Sequence, residues 1–256
     1  ASSQGGYGEG AYTCPTHGLI HPASRPLPQL EQASWEVKCP TCGIDAAPTN
    51  TAETKPVDPG IIYSVTKYSQ EMMTLRLGAS MGIPTVALRY SLTFGPHQSV
   101  FNPYTGITSI FSTRILNDLP PIVYEDGNQM RDFVFVEDVA RANVHVMEDK
   151  RANYQVFNVG SGKGTTVLNF IQTLAAAYGK KVTPKLTGQF RPGEVRHLFS
   201  DNSKLRALGW EPTHDLKQGL AKYVEWIKTQ GEVKEYFSEA LKVMEQRGVV
   251  RNVKKK

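Results

Sequence analysis

The stretch Tyr63-Ser64-Val65-Thr66-Lys67 places a phenol and an ammonium four residues apart, within a segment whose pattern predicts a helix from about Tyr63 to Met81. Side chains at positions i and i+4 share one helical face. A nearby ammonium favours the phenolate, so this pair suits proton transfer from a substrate. Such pairs also arise by chance in many surface helices, and the neighbouring segments therefore decide what the pair means.

The segments on either side of this helix read as strands. The chain opens Ala1-Ser2-Ser3-Gln4-Gly5-Gly6-Tyr7-Gly8, small polar residues that suit the carboxyl end of a parallel strand, where α/β folds bind ligands. Residues 85–91 form an apolar run that ends in the turn Phe94-Gly95-Pro96. The order strand, helix, strand predicts an α/β fold with a parallel sheet.

Several longer motifs accompany this order. They are SSxxxYG at 2–8, YxxxK at 63–67, LRYS followed by GP at 88–96, RDFVFVEDVARA at 131–142, FNVGSG at 157–162 and RPGEVRH at 191–197. Together they resemble the extended short-chain dehydrogenase/reductase family, and within it the nucleotide-sugar epimerases and dehydratases. The resemblance implies a Rossmann-type sheet interleaved with a small α/β substrate cap.

The resemblance also implies catalytic roles. Tyr63, as phenolate, takes the proton of a sugar hydroxyl while hydride passes to NAD, and Lys67 supports the phenolate and bonds the nicotinamide ribose. Ser3 hydrogen-bonds the same hydroxyl, and Tyr90 lies on the cofactor side. Return of the hydride to the other face of the keto-sugar gives the epimer. The alternatives are a plain strand-end hydroxyl for Ser3 and core packing for Tyr90.

A second set of residues is implied to bind the substrate, a nucleotide-diphosphate sugar. Arg131 and Arg191 match arginines that grip the diphosphate, Glu194 matches an acid on the nucleotide ribose, and Asn102 is a looser match for a diphosphate contact. The alternatives are a surface bridge from Arg131 to Asp132 or Glu137, and solvated charges at Arg191 and Arg196.

Departures from the family pattern reduce the number of reactions that we expect this chain to support. The 4,6-dehydratases carry an Asp-Glu pair after the catalytic hydroxyl residue, whereas this chain has Gln4 and Gly5, which argues against water elimination. Leu92 stands where many epimerases have Asn. The insert and the runs LRYS, GPHQS and NPYTG look most like the enzymes that epimerise dTDP-L-rhamnose at C4, with UDP-glucose and UDP-glucuronate 4-epimerases next and a reductase as another possibility.

No glycine-rich run of the form G-x-x-G-x-x-G or G-x-G-x-x-G follows a strand in this sequence, so the usual pyrophosphate cradle is missing. From this we expect the chain to be the carboxyl-terminal part of a longer enzyme and not to turn over substrate alone.

The three cysteines fall in two short repeats, Cys14-Pro15-Thr16-His17-Gly18 and Cys39-Pro40-Thr41-Cys42-Gly43. Three thiolates and one imidazole make a closed tetrahedral zinc set, so Cys14, His17, Cys39 and Cys42 are predicted to hold a structural zinc ion. The alternatives are a disulfide, or free thiols beside an unrelated histidine. A closed site leaves no position for water, and we therefore assign the metal no catalytic role.

This zinc-knuckle insert, residues 11–50, lies between the Ser3 strand and the Tyr63 helix and is expected near the sugar pocket. The predicted domains are a dinucleotide-binding part, residues 1–95 and 131–165 with the insert, and a substrate cap, residues 96–130 and 166–256.

Composition places limits on partners and location. With 256 residues, 40% of them hydrophobic, and no apolar run of about 20 residues, the chain is expected to be soluble and not membrane-bound. The odd cysteine count favours a reducing cytoplasm. Much of the net charge of +5 comes from a tail that includes Arg247, Arg251 and Lys254, so nucleic acid is not expected as a partner. A homodimer is expected from the family. The alternative to an epimerase is a non-catalytic zinc-ribbon protein that binds RNA or another protein.

Overall fold

A three-stranded parallel sheet carries Ser3, and the helix packed beside its first strand carries Tyr63 and Lys67. The computed structural model describes residues 1–100 and 106–254. Strands β1 (Ser2–Ser3) and β10 (Val156–Val159) flank β5 (Ala87–Tyr90), and both run parallel to it. Ser3 and Val159 both pair with Tyr90, so these strands end at one edge. Helix α2 (Ile62–Met81) connects β1 to β5, which confirms the strand, helix, strand order.

The remaining strands form short ladders around this sheet. They are β2 (Ala11–Cys14), β3 (Gly18–Ile20), β4 (Ala47–Thr49), β6 (Leu92–Phe94), β7 (Ile122–Val123), β8 (Met130–Arg131), β9 (Phe133–Phe135), β11 (Thr165–Thr166), β12 (Lys185–Leu186) and β13 (His197–Leu198). Strand β6 runs parallel to β9, β7 runs parallel to β12, and β8 lies between β11 and β13.

The other helices are α1 (Leu27–Glu31), α3 (Ile107–Leu116), α4 (Val136–Glu148), α5 (Val167–Ala177), α6 (Ser203–Arg206), α7 (Leu216–Lys228) and α8 (Phe237–Gln246). Local capping explains several of their bounds. The Thr166 hydroxyl accepts from the Asn169 amide at the start of α5, and Asp215 forms a capping box with Gln218 at the start of α7. Helix α2 ends at Gly82, whose φ of 66° is left-handed.

Two apolar clusters hold the main body together. The larger one joins α3, α5 and α7 to β9 through residues such as Phe111, Phe133, Phe170 and Tyr223. The smaller one packs α4 and Trp210 against the parallel sheet. Each buried aromatic or aliphatic side chain contributes about 1.5–3 kcal/mol.

The region from Ile122 to Val134 corrects a sequence expectation. Its spacing predicts a hairpin-like pair of strands, but β7 pairs with β12 and β9 pairs with β6. The turn between them contains Glu125 and Gly127 with left-handed φ values of 54° and 79°. These residues send the chain into different ladders, so the hairpin prediction is wrong.

The Asp132 carboxylate ties the end of the parallel sheet to its surroundings. It is fully buried and accepts hydrogen bonds from the Ser161 amide and hydroxyl, the Gly162 amide and the Ser200 amide. A Cβ on Gly160 would overlap this carboxylate, which explains the glycine of the FNVGSG run. Burial raises the pKa of Asp132 although these donors favour its charged form.

The insert, residues 11–50, leaves and rejoins the main body at adjacent points. Its antiparallel sheet has the order β3-β2-β4, with a small core of Tyr12, Val37 and Ala46. The Gly10 amide donates to the His197 carbonyl at 3.1 Å, and the Thr51 amide donates to the Phe199 carbonyl at 2.8 Å. The Ala11 amide also donates to the Thr51 hydroxyl at 3.0 Å.

Candidate active site

A cavity of about 610 Å³ opens between α3, α8 and the segment that contains the RPGEVRH motif. Much of its wall is apolar, with Ile110 and Phe111 from α3 and Phe237 from α8. Three of the predicted substrate residues, Arg131, Arg191 and Glu194, share this cavity. A volume of this size and a few convergent charges are typical of a small-molecule site.

The two arginines face the same carboxylate. Arg131 Nη2 lies 3.5 Å from Glu194 Oε1, and Arg191 Nη1 lies 3.8 Å from Glu194 Oε2. Arg131 also donates to the carbonyls of Met130, Val195 and Arg196, which fixes its guanidinium against the backbone. The surface bridge from Arg131 to Asp132 or Glu137 is therefore wrong.

Arg191 is held by an aromatic ring instead of by backbone. Its guanidinium carbon lies 4.9 Å from the centre of the Tyr124 ring, and Nη2 is 3.5 Å from the Tyr124 hydroxyl. Burial raises the pKa of Tyr124, which stays a neutral phenol beside the arginine. Arg191 is thus partly buried at a cavity wall and not a fully solvated charge.

The strand that carries Ser3 packs against the start of α2, the helix that carries Tyr63 and Lys67. The Ser3 hydroxyl accepts from the Gly5 amide at 3.1 Å, and a Cβ on Gly5 would lie 3.4 Å from that hydroxyl and 3.0 Å from the Ser64 hydroxyl. Gly5 therefore lets the first turn of α2, with Tyr63, approach the strand that carries Ser3.

Tyr63 and Lys67 lie on an accessible part of α2. The Tyr63 side chain is 55% exposed, and its hydroxyl has no hydrogen-bond partner among residues 1–100 and 106–254. Lys67 Nζ donates to Gln70 Oε1 at 3.2 Å. Both polar groups are thus available to a ligand.

A buried ion pair fixes α2 against the sheet. Glu71 accepts from Arg89 Nη2 at 2.6 Å and Nε at 3.0 Å, and from the Ser2 hydroxyl at 2.7 Å. Glu71 follows Lys67 by one helical turn, and Ser2 precedes Ser3. The register between the Tyr63 helix and the Ser3 strand is therefore set by hydrogen bonds to one carboxylate.

Two other predicted residues have different outcomes. The Tyr90 hydroxyl donates to Asn143 Oδ1 at 2.8 Å, and its ring packs beside the smaller apolar cluster, so the structure gives Tyr90 a packing contact while its cofactor role stays a prediction. Asn102 lies outside the described residues.

The four predicted metal ligands come together in the insert. Their ligand atoms all lie within 4.8 Å of one another. Cys14 Sγ is 3.6 Å from Cys42 Sγ, and His17 Nδ1 is 3.5 Å from both Cys14 Sγ and Cys39 Sγ. Tetrahedral zinc with ordinary bond lengths separates two sulfurs by about 3.8 Å and a sulfur from a nitrogen by about 3.5 Å.

The environments of Cys14 and Cys39 favour the thiolate, and that of Cys42 does not. The Ile44 backbone lowers the pKa of Cys42, but burial and the neighbouring Cys39 and Cys14 outweigh it, so the pKa is raised. Burial raises the pKa of Cys14, but hydrogen bonds from the Thr16 backbone and from His17 outweigh it, so that the pKa falls to about 6. A hydrogen bond from the Cys42 backbone lowers the pKa of Cys39. Gly18 and Gly43 have φ values of 66° and 73°, the left-handed conformation that closes each knuckle.

A charge network that sequence reasoning missed joins the insert to the cavity wall. Its members are Arg25 and Glu36 of the insert with Glu125, Asp126 and Arg196 of the main body. Arg196 is fully buried, so the alternative of a solvated charge is wrong for it. The hydrophilic segment from Pro22 to Trp35 has no periodic pattern that would predict these contacts. Arg25 and Glu125 are 100 positions apart in the sequence, and Glu36 and Arg196 are 160 positions apart.

The basic tail is also attached to the body. Phe190 and Arg251 exchange two backbone hydrogen bonds of 2.9 Å, the Lys254 amide donates to the Glu31 carbonyl, and Arg247 lines the cavity. The side chains of Arg247, Arg251 and Lys254 are exposed, so the charges of the tail are solvated over its described part while its backbone is attached to the body.

Comparisons with known proteins fit this arrangement. Residues 40–160 match the model of the NAD dependent epimerase/dehydratase family. The chain is 36% identical over 228 residues to a dTDP-L-rhamnose 4-epimerase of Burkholderia thailandensis, an alignment that covers 88% of this chain and 61% of that protein. Residues 40–160 of the chain belong to the NAD-dependent epimerase/dehydratase family.

Solved structures share the fold. The UDP-glucose 4-epimerase of Thermotoga maritima with UDP-glucose has a TM-score of 0.66 at 32% identity, covering 78% of this chain and 61% of that one. A UDP-glucuronic acid 4-epimerase from Bacillus cereus in complex with UDP-glucuronic acid and NAD has a TM-score of 0.63 at 30% identity, covering 71% and 57%. The α/β Rossmann-like fold is thereby confirmed, and the chain spans about three fifths of the length of these relatives.

None of the helices in the described ranges combines the length and the apolar character that crossing a bilayer requires.

Proposed function

We propose that the protein carrying these residues epimerises a nucleotide-diphosphate sugar at C4 through a keto intermediate, with NAD as its cofactor. The observation that supports this most directly is the cavity in which Arg131, Arg191 and Glu194 converge. Family membership and the accessible Tyr63 and Lys67 agree with it.

In this proposal the cavity binds the nucleotide part of the substrate. Two guanidinium groups beside one carboxylate suit a diphosphate and a neighbouring ribose, since arginine presents a planar fork to phosphate oxygens and a carboxylate accepts from ribose hydroxyls. Arg131 is anchored by three carbonyls and is already oriented, which reduces the entropy lost on binding.

The residues at the start of α2 would carry the proton transfer. Tyr63 would accept the proton of the sugar hydroxyl, Ser3 would orient that hydroxyl, and the Lys67 ammonium would stabilise the phenolate. The exposed Tyr63 phenol and the Lys67 ammonium, whose one hydrogen bond to a described side chain is to Gln70, fit the nicotinamide ribose end of NAD, so Tyr63 and Lys67 would hold it there, with Tyr90 as a further candidate. NAD, when bound, supplies the hydride acceptor for oxidation at C4.

We assign the substrate to the dTDP- or UDP-sugars, with a dTDP-6-deoxyhexose such as dTDP-L-rhamnose first. The identity of 36% to a dTDP-L-rhamnose 4-epimerase supports this order. Gln4 and Gly5 lack the acid and base that elimination requires, which disfavours a dehydratase. Leu92 lines the cavity where an amide would otherwise hydrogen-bond the substrate.

Calorimetry with the purified chain tests the nucleotide site. We expect binding of dTDP or UDP, and we expect Arg191→Met to weaken it by about tenfold or more because a charge-assisted contact to phosphate is lost. Arg206→Met, which removes an exposed partner of Glu211, is the matched control. Incubation of the longer enzyme that carries these residues with NAD and dTDP-L-rhamnose, UDP-glucose or UDP-glucuronate, followed by proton NMR, then identifies the product. Absence of nucleotide binding would contradict the proposal.

We further propose that Cys14, His17, Cys39 and Cys42 hold one structural zinc ion. Their separations match a tetrahedral set, and the lowered pKa values of Cys14 and Cys39 favour thiolates. Elemental analysis should find one zinc per chain, and Cys39→Ser should lose it, whereas His21→Ala, in the same insert, should keep it. Protein purified without chelators that contains no zinc would contradict this.

The two-part domain division and a homodimer complete the proposal. The separate apolar clusters around α3, α5 and α7 and around α4 support a cap, residues 96–130 and 166–256, beside a dinucleotide-binding part, residues 1–95 and 131–165. Met73, Leu77 and Met81 form an exposed apolar stripe along α2 that supports self-association.

A further inference from the structure

Arg25 reaches from the insert into the wall of the cavity. Its side chain is only 1% exposed. Its Nη1 and Nη2 atoms donate to the two Glu125 carboxylate oxygens at 3.0 and 2.8 Å, and Nη2 also donates to the Glu194 carbonyl at 3.1 Å. A further bond to the Trp35 carbonyl ties the same guanidinium to the insert.

Both main-body partners of Arg25 line the cavity, and one of them has a strained backbone. Glu125 has a φ of 54°, a conformation that side-chain-bearing residues rarely adopt and that persists only where neighbours enforce it. Three contacts restrain Glu125. Arg25 and Arg196 donate to its carboxylate, and its backbone amide donates a hydrogen bond of 2.8 Å to the Gln189 carbonyl.

The other partner, Glu194, connects Arg25 to the predicted diphosphate ligands. Arg25 holds the Glu194 carbonyl, while the Glu194 carboxylate lies 3.5 Å from Arg131 and 3.8 Å from Arg191. A shift of the Glu194 backbone would therefore move the group that both arginines face.

The charge balance of the network makes Arg25 indispensable to this arrangement. Arg25 and Arg196 together face Glu36, Glu125 and Asp126. Without Arg25, Arg196 would be the one guanidinium of this network left to face Glu125 and Asp126, while His197 and Arg196 both face Glu36; Glu125 is only 5% exposed. Buried carboxylates without partners are costly, so the wall would rearrange to let in water.

We propose that Arg25 is a positioning residue for the nucleotide-diphosphate site, through which the insert holds the Glu125 and Glu194 wall in its binding shape. The proposal rests on the function assigned to the cavity above. It gives the insert a role in substrate affinity that does not involve contact with the reacting sugar.

Calorimetry with dTDP and UDP on the wild-type chain and on Arg25→Met, Arg25→Lys and Arg206→Met tests this. We expect the Kd of Arg25→Met for either nucleotide to rise by about tenfold, because a displacement of the binding groups by about 1 Å or less weakens their contacts with the diphosphate. Arg25→Lys keeps the charge but not the fork, so its Kd should be intermediate, and Arg206→Met should bind like wild type. In turnover by the longer enzyme that carries these residues, Arg25→Met should raise KM and leave kcat unchanged.

The outcomes separate this proposal from the one on which it rests. If the wild-type chain binds neither nucleotide, the assignment of the cavity fails and the role of Arg25 fails with it. If the wild type binds and folded Arg25→Met has the same Kd, only the role of Arg25 is overturned. The Kd is measured only for variants that circular dichroism shows to be folded. If Arg25→Met does not fold, Arg25→Lys decides, and an unchanged Kd for it overturns the proposal.

Discussion

The phenol of Tyr63 is the single group on which the proposed chemistry depends. Tyr63→Phe removes the phenolic oxygen that accepts the proton and leaves the ring, so we expect kcat for epimerisation to fall by about 10²- to 10⁴-fold with little change in KM. Steady-state kinetics on the protein that carries these residues measures both values. Tyr68→Phe, on the same helix, should retain the wild-type kcat, and a fully active Tyr63→Phe would remove the assignment of the base.

Arg89 offers a residue-level test of how the catalytic helix is held. Its side chain is 6% exposed, and Arg89→Met would leave the Glu71 carboxylate buried beside the Ser2 hydroxyl alone. We expect a loss of about 3 kcal/mol in the free energy of unfolding, measured by urea denaturation.

Adding Glu71→Met to Arg89→Met removes the unpaired charge, and most of that loss should be recovered. Arg151→Met, which breaks an exposed pair with Asp149, should leave the urea midpoint near that of the wild type. A double variant as unstable as Arg89→Met would show that the ion pair is not the source of the effect.

At the level of elements, Glu36 joins the insert to strand β13. Hydrogen bonds from His197 and then from Arg196 lower the pKa of Glu36 to about 2, below its ordinary value of 4.5. A carboxyl with a lowered pKa in the folded state stabilises the protein above its ordinary pKa, and this contribution is lost as the pH falls from about 4.5 to about 2.

Glu36→Gln should therefore lower Tm near pH 6 and show a smaller further fall in Tm between pH 4.5 and pH 2 than the wild type. Thermal unfolding followed by circular dichroism across this range measures the difference. Glu211→Gln, which changes an exposed carboxyl, should follow the wild-type curve, and parallel curves for Glu36→Gln and wild type would contradict the prediction.

Sequence reasoning succeeded for elements whose signals are local. From Val136 to Glu148 the spacing of the apolar residues, with Glu137 and Asp138 in the first turn, predicts a helix, and the structure has a helix with these bounds. These signals act within a few residues. The knuckle ligands were found for the same reason, since each pair is adjacent in the sequence. The strand pairing around β7 and β9 depends on partners more than thirty residues away and could not be predicted.

For the whole molecule, the α2 stripe predicts the state of association. Met73, Leu77 and Met81 are 59%, 59% and 67% exposed at successive turns of one helical face. We expect a dimer by light scattering after gel filtration, and a monomer when all three residues are changed to glutamine, which keeps helix propensity. Leu186→Gln, on the exposed strand β12, is the control and should stay dimeric. A monomeric wild type at tens of micromolar would contradict the prediction.

Across the whole chain, the candidate site was predictable in part. Arg131, Arg191 and Glu194 were identified from motif resemblance, and the structure brings them to one cavity. Arg25 and Glu125 were missed because their contact joins residues a hundred positions apart in polar segments without periodicity. The position of the exposed Arg247 at the cavity was also missed, because composition says nothing of where a terminal helix packs.

The entry and exit of residues 11–50 lie one hydrogen bond apart, between the Ala11 amide and the Thr51 hydroxyl. The insert can therefore be gained or lost during evolution without a change in the strand order of the main sheet, since the flanking backbone keeps its path beside His197 and Phe199. The electrostatics are less permissive, because discarding it removes Arg25 and Glu36 from around Glu125 and Arg196. Homologues without the insert should carry compensating replacements at positions 125 and 196.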